Sequence, residues 1–290
     1  AEHRGFQATG AGSGFGWGVQ GDVLSLIAMP WTSGHIILDA PDAGVALSMD
    51  WVDGEDKSRE YTSVAQVSSF RVSVSTRNNK PKRVSLQMRA VDGETNLFGV
   101  GPFGAKDLQF HLRWPKNAQE TNTGLTEASQ LEPVLRIKEL EFKGRSMGAL
   151  GPILQSLVIQ SSITGEKVPA RSKASLQAWR RNGGTLELPI MQMRWGALEV
   201  DGSGTIAIDE GFQPIGALSL DAKGLDAALA TLEADTRISE DASDLLRLTL
   251  DLLSAGSEDG RAQIPISIQN GVLSMGPVGI IQTGALYAKN

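Results

Sequence analysis

The feature that most constrains this chain is a two-residue period of apolar side chains. Along residues 83–91 and 106–114 apolar side chains alternate with charged or polar ones. Successive side chains point to opposite faces of a strand, so this pattern predicts strands with one buried and one solvated face. Similar patterns predict further strands at 43–52, 66–76, 133–143, 154–163, 185–195, 197–209, 215–223, 262–269 and 271–281.

Tight-turn dipeptides support an antiparallel arrangement of these strands. Six of them are Asp-Gly or Asn-Gly, at 53–54, 92–93, 182–183, 201–202, 259–260 and 270–271. Such pairs readily adopt the positive φ angles that two-residue hairpin turns need. They favour hairpins and meanders over parallel βαβ units, and we predict at least about ten strands.

Three segments have the period of an amphipathic helix, and all lie in the second half of the chain. Residues 172–181 begin at a Ser cap and end before an Asn-Gly pair, and residues 224–234 carry leucines at i, i+4 and i+7. Residues 239–255 open on a capping sequence and end at Gly256. We therefore predict a β-dominated α+β protein in which about three helices pack on one or more curved antiparallel sheets.

Composition divides the chain into four segments. Residues 1–21 are rich in Gly, and we interpret them as a loose N-terminal segment. Residues 115–133 are polar with Pro near each end, which is typical of a linker or a long loop. Between and after these segments we place an almost purely β part, 22–114, and an α+β part, 134–290.

The residue inventory excludes several classes of function. The 290 residues include no Cys and only 3 His, which excludes thiol catalysis, Cys-ligated zinc and iron–sulfur clusters. The net charge of -6 argues against a surface that coats nucleic acid. No run approaches the roughly 18 apolar residues of a membrane span, so we expect no transmembrane segment in this chain. We also expect no metal and no cofactor.

The motifs in the sequence predict no catalytic site. Gly99, Gly101 and Gly104 match the glycines of a dinucleotide-binding loop, but the residues after them alternate as a strand instead of opening a helix. The acidic residues at 50–56 lack the ordered ligand positions of a calcium loop. The His residues fall in no zinc-binding pattern, and no G-x-S-x-G sequence occurs. We nominate no catalytic residue and expect a protein that is not an enzyme, while a triad of distant residues stays open.

The apolar faces of the strands are the most informative feature for function. Leu, Ile, Val and Met line them, and few helices are available to cover them. Trp114 and Trp195 each close an alternating strand on its apolar side, which predicts two buried anchors. A closed core would cover the remaining apolar surface; the other outcome is that a lipid, another apolar ligand or a partner covers it. The candidate ligand contacts are Leu86, Met88, Leu108, Phe110 and Leu112.

Three passages carry a family resemblance. They are PWTSGHIIL at 30–38, a stretch from Trp179 to Gly216 that includes RWG at 194–196, and IPI at 264–266 followed by NG at 270–271 and GP at 276–277. Together they resemble the uncharacterised bacterial family called domain of unknown function 2125, known mainly from alphaproteobacteria, over most of residues 28–282. Members of that family typically carry an N-terminal signal or membrane anchor that faces the periplasm. The resemblance therefore implies export, and it implies no particular activity.

A more distant similarity concerns AsmA-like envelope proteins, whose long amphipathic strands form lipid-carrying grooves. From both resemblances we expect a non-enzymatic envelope protein that binds a lipid or another apolar ligand, or that scaffolds envelope proteins at the inner membrane. A structural interaction module with a closed core is the alternative, and an uncharacterised hydrolase is the third reading. The resemblance implies a periplasmic protein anchored to the inner membrane by a removed N-terminal segment. The sequence starts at Ala1 without a Met, which is compatible with such removal and equally with an engineered start.

Overall fold

The structure is a computed structural model of the 290-residue chain. It describes residues 2–12, 15–28, 34–52, 58–115, 129–144, 148–169, 172–234, 247–248, 261–276 and 278–283. Within these residues the chain forms fourteen strands and two α-helices. It divides into two compact units: unit 1 comprises Ala1–Trp51 and Ser58–Arg145, and unit 2 comprises Val52–Lys57 and Ser146–Asn290.

Unit 1 is built from seven strands whose order in space follows their order in the chain. Consecutive strands are neighbours and pair in antiparallel fashion, as hairpin-forming turns dictate. The strands are β1 Glu2–Gly12, β2 Phe15–Ala28, β3 His35–Val52, β4 Ser58–Arg77, β5 Lys80–Thr95, β6 Gly101–Arg113 and β7 Glu132–Phe142.

A row of left-handed residues crosses the strands of unit 1. Gly5 in β1, Asp42 in β3, Ala90 in β5 and Glu139 in β7 have φ angles of 63°, 49°, 45° and 48°. The strand registers, together with the β3–β4 contacts of Gly34 with Thr76 and of Asp39 with Arg71, place these four residues on one line across the sheet. A left-handed residue interrupts the alternation of a strand, so side chains three positions apart reach the same face.

The core of unit 1 draws on both sides of this row. Its buried residues include pairs that lie three positions apart across the row, namely Ala40 with Ala43, Val67 with Phe70, and Met88 with Val91, and it is completed by Val19, Val45 and Ala105. We call the face of the sheet that carries these residues the core side and the opposite face the polar side. The interrupted alternation therefore lets long strands contribute both of their halves to one apolar cluster.

Unit 2 combines seven shorter strands with both α-helices. The strands also follow chain order and are β8 Ile153–Ile163, β9 Leu186–Trp195, β10 Leu198–Ile208, β11 Pro214–Lys223, β12 Arg261–Gln269, β13 Val272–Met275 and β14 Val278–Gln282. Helix α1, Lys173–Arg181, lies between β8 and β9, and helix α2, Leu225–Ala234, follows β11.

Each helix of unit 2 buries one apolar face. Helix α1 is capped by Ser172, whose Oγ accepts a hydrogen bond from the backbone N–H of Ser175 at 3.2 Å. Trp179 of α1 is 7% exposed, and it packs in one cluster with Leu176 and Phe212. Helix α2 buries Leu229 in a second cluster, against side chains of β11 and β12 that include Ala222, Ala262 and Ile264.

The predicted class is confirmed: the chain is β-dominated and antiparallel, with more than ten strands. The predicted helices at 172–181 and 224–234 are present as α1 and α2. The count of three is too high for the described part of the chain. All of the third predicted helix, 239–255, except residues 247 and 248 lies outside it, and those two residues are helical. Most of the linker predicted at 115–133 also lies outside it.

The interpretation of residues 1–21 as a loose segment is wrong. Residues 2–12 form β1 and residues 15–21 form the first half of β2, and the two pair in register. Glycines hid these strands because they carry no side chain to alternate, yet they make room for aromatic rings opposite. Gly10 faces Trp17, and a Cβ atom added to Gly10 would lie 2.4 Å from the Trp17 ring. Gly21 faces Phe6 in the same way.

The prediction that Trp114 and Trp195 are buried anchors is also wrong, because both side chains are only half-buried. Each lies where a strand ends, so neighbouring strands cover it from fewer directions. The indole N–H of Trp195 donates to the carbonyl of Gly151 at 2.9 Å. Among the Trp residues whose burial the structure describes, the buried one is Trp179 of helix α1.

Candidate apolar ligand site

The five residues nominated from the sequence lie side by side on the core side of β5 and β6. The register places Leu86 opposite Phe110 and Met88 opposite Leu108, and Leu112 follows two residues after Phe110. Met88 is 6% exposed, whereas Phe110 is 36% exposed, and the other three are half-buried. Met88 therefore belongs to the closed core, and the remaining four side chains reach the surface.

The neighbouring strands extend this patch with side chains that the sequence interpretation missed. Leu135 of β7 lies opposite Phe110, and Ile137 of β7 lies opposite Leu108. Val72 of β4 lies opposite Leu86 on the other flank. All three are half-buried. We define the apolar face as the set Val72, Leu86, Leu108, Phe110, Leu112, Leu135 and Ile137.

Further exposed apolar side chains lie on the core side of β2 and β3. Leu26 and Ile36 are 43% and 44% exposed, and they sit at the ends of β2 and β3 that are paired to each other. Leu24, two residues before Leu26, packs against the unit 1 core. The core side is thus closed near the row of left-handed residues and open toward these strand ends.

Unit 1 supplies no α-helix to cover the apolar face within its described residues. Its longest helical element there is the 3₁₀ turn Leu97–Gly99. A sheet with one apolar face must cover that face with a second layer or with another apolar body. The side chains of the apolar face are only partly buried, so a ligand or a partner could cover the remaining apolar surface of unit 1.

A cavity of about 550 Å³ lies in unit 1 away from the apolar face. Its lining includes polar side chains from four strands, among them Gln7, Gln20, Gln66, Asp92 and Glu94. None of the five nominated residues lines it. Its lining mixes these polar side chains with apolar ones such as Val45 and Val64. No residue of the apolar face lines it, so the apolar face is a separate surface.

One contact on the polar side joins a potential nucleophile to a potential base. His35 Nε2 lies 2.8 Å from Ser73 Oγ, a pairing of residues 38 positions apart that local spacing could not reveal. Nucleophilic catalysis also needs a third group that orients the imidazole. No carboxylate contacts His35 within the described residues, so the pair as it stands is a polar cross-strand contact.

Unit 2 carries a network of ion pairs on β9 to β12. Arg261 lies 2.7 Å from Asp221 and 3.0 Å from Glu199, and Arg194 lies 2.8 Å from Asp201. Burial acts to raise the pKa of Asp201, but the hydrogen bond and the charge of Arg194 hold that pKa below its ordinary value. The hydrogen bond from Arg261 to Asp221 raises the pKa of the guanidinium. The two Arg residues of this network are shared among its three carboxylates, and such a surface network is typical of a structural role.

The described residues contain no cluster of His, Asp and Glu that could hold a metal ion. No helix among them is long and apolar enough to cross a membrane.

Comparison with known proteins gives a single family. A family model described as "Uncharacterized protein conserved in bacteria (DUF2125)" matches residues 7–283. No curated protein and no solved structure matches the chain. The match covers nearly the whole chain, both units included, and agrees with the resemblance carried by the Trp, Gly and Pro positions.

Proposed function

For a chain that belongs to the DUF2125 family of uncharacterized bacterial proteins, we propose a non-enzymatic function in the cell envelope, in which the apolar face of unit 1 binds the acyl chain of a lipid. The observation that carries the proposal is the continuous row of aliphatic side chains on β4 to β7, centred on the exposed Phe110. No described residue of unit 1 forms a helix that would cover it.

The size and chemistry of the apolar face suit a hydrocarbon chain. Four adjacent strands span roughly 14 Å, and the five residues from Leu108 to Leu112 extend about 13 Å along β6. The side chains that point outward from this face carry no polar group. Each methylene buried there contributes about 0.8 kcal/mol, so part of an acyl chain binds without any charged anchor.

The proposed place of action is the periplasm. The family resemblance supports export, and export brings lipids of the envelope within reach. The more distant similarity to AsmA-like proteins supports the same reading, since their sheets carry lipids along apolar grooves. The cellular location and the ligand are thus separate proposals.

Titration with a fluorescent fatty acid tests the ligand. The double variant Phe110→Asn/Leu112→Asn replaces two outward side chains of the apolar face and should weaken binding about tenfold or more, because each buried Phe or Leu contributes about 1.5–3 kcal/mol. The matched control is Ile215→Asn. Ile215 is 38% exposed, close to the 36% of Phe110, but belongs to unit 2. We expect the control to bind like the wild type.

The alternative function has a different outcome in the same titration. A protein–protein interaction module with a closed core would show no saturable fatty-acid binding, and organic extracts of the purified protein would contain no lipid by mass spectrometry. Both results together would contradict lipid binding by the apolar face and would favour the interaction module. Equal losses in the double variant and in Ile215→Asn would also count against the apolar face as the site.

A further inference from the structure

On the polar side of β3 to β7, cations outnumber carboxylates in one half of the sheet. This half lies on the same side of the row of left-handed residues as Leu86 and Phe110. The alternation that turns Leu86 and Phe110 to the core side turns the charged residues between them to the polar side. We define the basic face as the six cations on this side together with the three carboxylates among them: Arg71, Arg83, Arg89, Arg113, Arg136, Lys138, Asp39, Asp107 and Glu132. The excess contrasts with the net charge of -6 of the whole chain.

Only half of these cations are neutralised by a neighbour. Arg71 lies 2.7 Å from Asp39, and Arg89 lies 3.5 Å from Asp107. Arg113 forms an ion pair with Glu132. The other three cations form no ion pair with any carboxylate that the structure describes, and all three are exposed: Arg83, Arg136 and Lys138. The basic face therefore presents uncompensated positive charge to the solvent.

The arrangement of the cations opposes the stability of the sheet. Arg83 lies directly opposite Arg113 across β5 and β6, and like charges in that position destabilise a strand pair. His111 stands on β6 between Arg83 and Arg136. Burial, and then the charges of these two Arg residues, lower the pKa of His111. Its Nδ1 is buried and has no hydrogen-bond partner within the described structure.

The form of the basic face favours an extended partner over a single small anion. Its cations are spread over four strands, roughly 14 Å, and the cavity of unit 1 is lined by none of them. Ile27 of β2 is 47% exposed and is paired with Ile37, which lies on the polar side two residues from Asp39. The described residues of the basic face include no Phe, Tyr or Trp on which a nucleic-acid base could stack.

We propose that the basic face docks unit 1 onto the surface of an anionic lipid bilayer. Lipid phosphates provide the counter-charge that Arg83, Arg136 and Lys138 lack, and the exposed Ile27 lies at the edge where it can enter the interface. The proposal does not depend on acyl-chain binding, since it concerns the opposite side of the same strands. If both hold, one sheet holds a hydrocarbon chain on one side and faces the membrane with the other.

Vesicle flotation tests the docking. The wild-type protein should bind vesicles of phosphatidylcholine mixed with phosphatidylglycerol, bind pure phosphatidylcholine vesicles weakly, and lose binding as salt is raised. The triple variant Arg83→Gln/Arg136→Gln/Lys138→Gln should reduce the partition coefficient onto the anionic vesicles by roughly a hundredfold, about fivefold for each cation. Circular dichroism should show that its strand signal is kept.

The matched control removes three exposed cations of unit 2, Lys167→Gln/Arg181→Gln/Lys223→Gln. This variant has the same net charge as the triple variant, and it should bind anionic vesicles nearly as well as the wild type. Equal losses in the two variants would overturn the proposal, because the effect would then follow net charge and not the basic face. Equal wild-type binding to both kinds of vesicle would overturn it as well.

A second variant keeps the test decisive if the triple variant does not fold. Arg83→Lys/Arg136→Lys preserves the charge and should keep vesicle binding, because a bilayer responds to charge and not to guanidinium geometry. Loss of binding in this folded variant, or saturable binding of inorganic phosphate that matches vesicle binding, would assign the cations to a small-anion site and overturn the docking surface. Tighter binding to duplex DNA than to vesicles would overturn it too.

The two proposals can fail separately. Phe110→Asn/Leu112→Asn should leave vesicle binding unchanged, and the triple variant should leave fatty-acid affinity unchanged. Loss of fatty-acid binding alone would remove the proposed ligand and keep the docking surface.

Discussion

At the scale of single residues, glycines decide where the large aromatic side chains lie. Trp179 fills a slot between Gly165 and Gly184, and a Cβ atom added to Gly184 would lie 2.3 Å from its ring. The indole N–H donates to the carbonyl of Thr164 at 2.7 Å. Gly10 makes room for Trp17 in the same manner across β1 and β2. A Gly opposite a Trp in these strands therefore marks a packing site and not a break.

Replacement of Trp179 should be far more damaging than replacement of Trp195. Trp179→Ala leaves a cavity under α1 and removes the indole donor to the carbonyl of Thr164, and we expect a loss of about 3–5 kcal/mol in the free energy of unfolding. Trp195→Ala, which removes a half-buried ring, should cost clearly less. Urea denaturation of both variants measures the difference. Equal losses in the free energy of unfolding would contradict this expectation. They would show that the packing of Trp179 between the two glycines stabilises the protein no more than the half-buried Trp195 does.

At the scale of the strand, the row of left-handed residues determines what the sheet can bury. Ala90 and Glu139 adopt φ angles of 45° and 48° without being Gly or Asn, which costs a residue with a side chain roughly 1–2 kcal/mol. In return, both halves of the strand turn their apolar residues to one side. The buried pairs Ala40 with Ala43 and Met88 with Val91, which flank Asp42 and Ala90, depend on this interruption.

The substitution Ala90→Gly should stabilise the protein slightly. The substitution removes the left-handed strain of roughly 1–2 kcal/mol. The greater flexibility of Gly in the unfolded chain costs about 0.5–1 kcal/mol, so the free energy of unfolding should increase by up to about 1 kcal/mol. The control Ala217→Gly changes an exposed Ala in the extended strand β11, and it should lose stability. The two midpoints of thermal unfolding should move in opposite directions; a similar decrease in both would contradict the strain at Ala90.

The sequence predicted the strands better than it predicted how they bury their side chains. Alternation placed β5 and β6 correctly, because each uses side chains of clear polarity. It missed β1, where Gly replaces the expected alternation. It also could not reveal the left-handed row, since Ala90 and Glu139 are residue types that seldom adopt positive φ. The row depends on neighbouring strands that share the same irregularity.

At the scale of the whole molecule, charge is divided unequally between the two units. Of the 27 basic and 33 acidic residues, unit 1 holds 15 and 14, which leaves 12 and 19 for unit 2. The net charge of the chain therefore conceals a nearly neutral unit 1. Within that unit the cations gather on one half of the polar side. The net charge of -6 does not reveal such a surface, because it is a sum over both units.

The candidate site was only half accessible to sequence reasoning. Alternation within β5 and β6 identified Leu86, Leu108, Phe110 and Leu112 because one strand's pattern is enough to define its apolar side. The contributions of Val72 and Leu135 depend on which strands are neighbours, and strand order is set by the fold. The approach of Arg136 to His111 has the same origin. These contacts cross segments whose partners no local pattern specifies.

The most direct test of the account is photo-crosslinking of a fatty acid that carries a diazirine near its methyl end, followed by tryptic peptide mapping. If the apolar face binds the acyl chain, we expect the label to attach to the peptide Asp107–Arg113, which contains Leu108, Phe110 and Leu112. An excess of unlabelled fatty acid should reduce the labelling. Label confined to peptides of unit 2, or label that the competitor does not reduce, would contradict the assignment of the apolar face as the lipid site.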